Sequence, residues 1–156
     1  MFACLFAAGL LLPTLHVLRF AKDRSLGRVA NIYLNYLLPI AVGLGGVLAF
    51  LGHTFRAEDI ARSIGWPAGN PFQFEVAVAN LAFGVLGLLC VKLRDGFRTA
   101  TVLGYAVFLE GAACGHVRQI VAAGNWSINN AGPVLAADVL FPLLLLALWA
   151  VARGGR

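Results

Sequence analysis

Five apolar runs, each about as long as a helix that crosses a bilayer, follow one another along this 156-residue chain with only short polar segments between them. They cover residues 2–20, 29–52, 71–92, 99–123 and 133–152. A helix of about 20 residues spans ~30 Å of hydrocarbon, and in lipid every backbone polar group must be bonded inside its own segment, so runs of this length call for helices. The expectation is an all-α integral membrane bundle of five transmembrane helices, a single domain over residues 1–156. Hydrophobic residues make up 60% and charged residues 12% of the chain. A soluble domain carries about 45–50% and about 25%, so that class is excluded.

The basic residues orient the bundle. Of the twelve Lys and Arg, nine fall on one side of the five runs: Arg19, Lys22, Arg24, Arg28, Lys92, Arg94, Arg98, Arg153 and Arg156. Loops rich in Lys and Arg stay in the cytoplasm, which puts the N-terminus outside and the C-terminus inside. The formal charge of +5 follows from this asymmetry and needs no nucleic acid partner. The partner expected is the lipid bilayer of a cell membrane. Three cysteines, Cys4, Cys90 and Cys114, stand in three different runs without metal-type spacing and read as buried thiols.

Local chemistry marks the ends and contacts of the spans. Residues 54–66 hold Arg56, Glu58, Asp59 and Arg62 beside Ile60 and Ile64, the pattern of a short amphipathic helix on the outer surface with Glu58 and Arg62 four apart. Asn70-Pro71-Phe72-Gln73 is a helix start, with Asn as cap and Pro at the first helical position. Pro39 disturbs the carbonyl of Asn35 and predicts a kink. Gly43, Gly45 and Gly46 on the second span, and Gly84 and Gly87 on the third, predict close helix packing.

Polar residues inside the spans are the candidates for function, because such groups are costly in lipid and are turned inward and used. Glu110 and His116 lie in the fourth span, followed by Arg118 and Gln119. At ~1.5 Å per residue, Glu75 and Asp138 both sit roughly 6 to 8 Å below the outer ends of their helices, and His116 about 12 Å below the end of its own. His53 stands at the mouth, and Glu110 and Asn80 lie deeper. Tyr105 and His116, eleven apart, share a helix face, whereas Glu110 is about 120° round from His116 and meets it only through other helices. Gln73 and Asn80 form a polar edge on the third span. Asp138 has Pro142 four residues on, which leaves an acceptor carbonyl beside the carboxylate. Asn129 and Asn130 fit loop capping as well as ligand binding. Asn125-Trp126-Ser127 matches the glycosylation acceptor pattern in a loop too short to give a glycan room, and the match is incidental. His16 reads as an ordinary bundle histidine.

Several functions stay open on these residues. The first is a pocket on the extracytoplasmic side that binds a small hydrophobic, amphipathic or lipid-soluble molecule and transforms it by acid–base chemistry, with Glu75, Glu110, His116 and Asp138 as the working groups and His53, Gln73, Asn80, Tyr105, Arg118, Gln119 and Asn130 as ligand contacts. The second is a non-catalytic accessory subunit in which Glu110 with Arg118, or Asp138 with His116, only holds helices together. A third uses the same carboxylates as an ion or proton path. A divalent metal such as zinc, iron or manganese, held by His53, His116, Glu75, Glu110 and Asp138, is a further alternative, although no Glu-x-x-His or His-x-x-x-His spacing is present. A homo-oligomer is compatible with all of these.

The segments Gly65 to Glu75, Gly115-His116 and Asn130 to Pro133 with Asp138 resemble those of an uncharacterised family of small prokaryotic multi-span membrane proteins, over Arg56 to about Pro142. The resemblance implies the multi-span architecture and a prokaryotic inner or plasma membrane, and supplies no role for any residue.

Overall fold

A computed structural model describes residues 2–154, and Arg156, one of the basic residues used to orient the chain, lies outside the described residues. The described chain is helical without strands: α1 (Phe2–Phe20), α2 (Leu26–Leu37), a π-helical segment (Leu38–Leu44), α3 (Gly45–Phe55), α4 (Ala57–Ile64), α5 (Phe72–Leu89), α6 (Gly96–Ala123), α7 (Ile128–Ala131) and α8 (Pro133–Gly154). By length and composition five helices can cross a membrane: Ala3–Phe20, Leu26–Phe55, Phe72–Leu89, Gly96–Ala123 and Ile128–Gly154. Their apolar side chains face outward in large number, including Leu11, Leu15, Leu18 and Val107, as expected where lipid replaces water.

The second span is 30 residues long and widens in the middle instead of breaking. Pro39 has no N–H for the ladder, and the chain absorbs it in a π segment whose closing amide, Gly45 N–H, reaches back five residues to Ile40 O. The wide turn lies where α5 presses on this span. A Cβ at Gly46 would come within 2.5 Å of Asn80 O and 2.8 Å of Gly84 Cα, and one at Gly87 within 2.6 Å of both Gly43 N and Leu38 O. Backbone meets backbone there, and only glycine permits that approach.

The remaining spans close around α2 and α8. Helix α8 packs on α6 and α2, α1 packs on α2, and α5 touches α6 only lightly. Leu34, Leu37, Leu38, Val42, Val102 and Leu145 form the fully buried core. Side chains tie the basic end: Arg94 and Arg98 both donate to Asn35 Oδ1, at 3.1 and 2.6 Å. Trp149 Nε1 donates to Thr99 Oγ1 at 3.1 Å. Two further pairs join α1 to α2, Thr14 Oγ1 to Tyr33 at 2.7 Å and His16 Nδ1 to Tyr36 at 2.9 Å.

The opposite end is made by α4, α7 and the loops. The amphipathic stretch forms α4, with Ala61 and Ile64 buried and Glu58, Asp59 and Arg62 exposed. Its ion pairs differ from the spacing expectation: Arg62 pairs with Asp59 at 2.7 Å rather than with Glu58, and Arg56 pairs with the same carboxylate at 3.1 Å. Asp59 has a basic residue three positions away on each side, so its short side chain takes both. Those hydrogen bonds, Arg56 first, hold its carboxyl below the usual aspartate range. The helix ends at Gly65 in the left-handed region, with Trp66 N–H bonding back to Ala61 O at 2.9 Å. Asn125 then pins the next loop, donating from Nδ2 to Ile64 O at 2.8 Å.

Candidate functional site

The site is built where α6, α7 and α8 meet beneath that cap. Helix α6 brings His116, buried at 8% exposure, to the level of α7. The one-turn α7 places Asn130, fully buried, directly against it. Asn130 Oδ1 lies 2.8 Å from His116 Nδ1. Its Nδ2 faces two main-chain carbonyls, Asn125 O at 2.8 Å and His116 O at 3.4 Å. Both carbonyls only accept, so the amide nitrogen must point at them and the amide oxygen at the ring. An amide oxygen only accepts as well. Nδ1 of His116 therefore carries a hydrogen, and Nε2 is the nitrogen left for exchange.

Asp138, early in α8, lies 3.5 Å from that Nε2 through its Oδ2. A bare Nε2 lone pair and an ionised carboxylate would repel at this separation, so the pair is at ease with one proton between them, on nitrogen or on oxygen. Pro142 lies one turn further along α8 and is buried; because it has no N–H, the Asp138 carbonyl is left without its helical donor. Glu110 lies six residues before His116 on α6. Glu110 Oε1 is buried and has no hydrogen-bond partner among the described residues.

The other candidates fall in several places. Tyr105 is buried about three turns from His116 on α6, its ring at 5.4 Å from Phe83 and 6.0 Å from Phe141 in edge contacts. His53 is half-buried near the cap, with Nδ1 buried and unpartnered among the described residues, next to Thr54, whose Oγ1 is in the same condition. Gln73 is buried and donates to Ala57 O at 2.6 Å, which fastens α5 to α4. Asn80 bonds back to Val76 O at 2.9 Å within its own helix. Glu75 is exposed on α5, and among the described residues it makes no hydrogen bond or ion pair. Arg118 is exposed and Gln119 half-exposed, and no ion pair joins Arg118 to Glu110 among the described residues. Among the described residues no three His, Cys, Asp or Glu side chains converge as a metal site would need. Cys4 and Cys114 are exposed and only Cys90 is buried, which corrects the reading of three buried thiols. What the sequence hid is the role of Asn130: the neighbouring Asn129 is chemically identical, and only the turn of α7 selects which one reaches the ring.

The chain belongs to a family of unknown function, DUF6790, whose model matches residues 1–156. No curated protein and no solved structure matches it.

Proposed function

We propose that this multi-pass membrane protein holds, at its α4–α7 end, an acid–base site for the polar group of a small amphipathic or lipid-soluble molecule. The single observation that carries the reading is the conjunction of a proton-sharing His116–Asp138 pair with a buried Glu110 oxygen that no described residue satisfies. Glu110 accepts a hydrogen bond from the ligand's hydroxyl or amine. The proton shared by His116 Nε2 and Asp138 Oδ2 passes to the ligand's polar group and returns to the pair by the same route, while Asn130 keeps Nδ1 protonated throughout. The sidedness of the basic residues supports an opening toward the extracytoplasmic side.

A cluster that only held helices together would explain Asn130, whose bonds are complete, but would leave no buried carboxylate oxygen unpaired. The test compares full-length wild type and Glu110→Gln, purified gently, by mass spectrometry of the small molecules extracted from each. A compound near stoichiometric in the wild type and reduced at least about tenfold in a folded Glu110→Gln supports the site. The absence of any Glu110-dependent compound, together with a lowered thermal midpoint for Glu110→Gln, would return the cluster to a structural role.

A further inference from the structure

At the opposite end, some 18 residues or ~27 Å along α6 from His116, a cavity of about 270 Å³ opens where α2, α6 and α8 converge. Its polar lining is Asn31, Asp95, Arg98, Thr99, Trp149 and Arg153. Two guanidinium groups against one carboxylate leave the lining net positive. Arg98 is only 7% exposed, so one of these charges stands in the wall rather than on the surface. A hydrogen bond from its Nη2 to Asn35 Oδ1 at 2.6 Å holds it in position. The second, Arg153, lies with Cζ 5.2 Å from the centre of the Trp149 ring. This cation–π contact holds the guanidinium beside the ring and leaves its N–H groups available, since it bonds to no other described residue. Trp149 is itself held by Thr99, whose Oγ1 accepts from the indole and whose hydroxyl hydrogen is thereby left to donate.

The geometry points to a binding site for a phosphoryl anion in this cavity, gripped by the Arg153 fork and the Thr99 hydroxyl in the field of Arg98. Planar guanidinium forks match phosphate oxygens in pairs, and a cationic recess between helix ends suits a phospholipid headgroup. The volume is that of a headgroup phosphate with its nearest carbons rather than of a larger ligand. The occupant is the phosphate of an anionic lipid or a free phosphate, and the chemistry of recognition is the same for both. Nothing in this site depends on the His116 cluster.

The test uses the full chain in neutral-detergent micelles, titrated in one arm with phosphatidylglycerol and in the other with inorganic phosphate, following the ligand-dependent rise of the thermal midpoint. Arg153 is exposed at the end of α8, so Arg153→Gln leaves the core in place. The expected result is an apparent affinity roughly tenfold weaker in Arg153→Gln, partly recovered in Arg153→Lys, and unchanged in Lys92→Gln, which removes an exposed charge outside the cavity. That pattern in the lipid arm identifies a headgroup. The same pattern in the phosphate arm alone supports the site with a free anion as occupant. If neither ligand shifts the midpoint, or if Arg153→Gln and Lys92→Gln weaken the effect equally, the attraction is diffuse and the site is refuted.

Discussion

The side chain of Asn130 reads both the ring and the main chain of His116: its oxygen faces Nδ1 at 2.8 Å and its nitrogen faces the His116 carbonyl at 3.4 Å. One residue of a four-residue helix thereby fixes the orientation of an imidazole that belongs to a 28-residue span.

Removing that side chain strands the groups it serves. Asn130→Ala leaves buried Nδ1 and the Asn125 carbonyl without partners, each costing about 1–3 kcal/mol, so a loss of roughly 2–6 kcal/mol is expected. Asn130→Asp is no remedy, because a second carboxylate oxygen would face the two carbonyls. Thermal unfolding in detergent measures both, and an unchanged midpoint for Asn130→Asp would mean that the amide nitrogen has no such duty.

The glycine seam makes an opposite pair of predictions. Gly46→Ala and Gly87→Ala drive a Cβ into backbone that cannot move aside, and either costs about 3 kcal/mol or more. Gly111→Ala and Gly115→Ala meet nothing within 4 Å and gain up to about 1 kcal/mol from helix propensity. Midpoints of the four variants in one detergent would separate the two classes.

On the exposed cap, Asp59 titrates below the usual aspartate range because Arg56 and Arg62 favour its ionised form. A carboxyl whose folded value is depressed contributes stability above its unfolded value and loses it as pH falls through the folded one. The ties to Arg56 and Arg62 are therefore intact at neutral pH and weaken only on the acid side. A carboxyl-carbon NMR titration checks this: Arg56→Ala should raise the Asp59 midpoint, and Glu58→Gln should scarcely move it.

Much of the architecture was legible because lipid enforces simple rules. Five apolar runs became five long helices, the amphipathic stretch became α4, and the glycines at 43, 46, 84 and 87 marked the seam where α5 meets the second span. Pro39 announced a disturbance, but whether a helix bends or widens depends on what packs against it, and here α5 lies against a widened turn. Counting residues from helix ends puts Glu75 and Asp138 at one depth. Depth does not give azimuth, and α5 turns Glu75 outward while α8 turns Asp138 toward His116. The partner of Arg62 was ambiguous for a similar reason, since Glu58 and Asp59 both lie within helical reach and side-chain length decides.

The central claim is that Asn130 reserves Nε2 of His116 for proton exchange with Asp138. It is tested most directly by nitrogen-15 NMR of histidine-labelled full-length protein in nanodiscs, with His116 assigned by its loss in His116→Gln. The account predicts that Nδ1 shows the shift of a protonated nitrogen across the accessible pH range, and that only Nε2 changes between protonated and bare, with this fixed preference lost in Asn130→Ala. A spectrum in which Nδ1 is bare and Nε2 carries the hydrogen would contradict it.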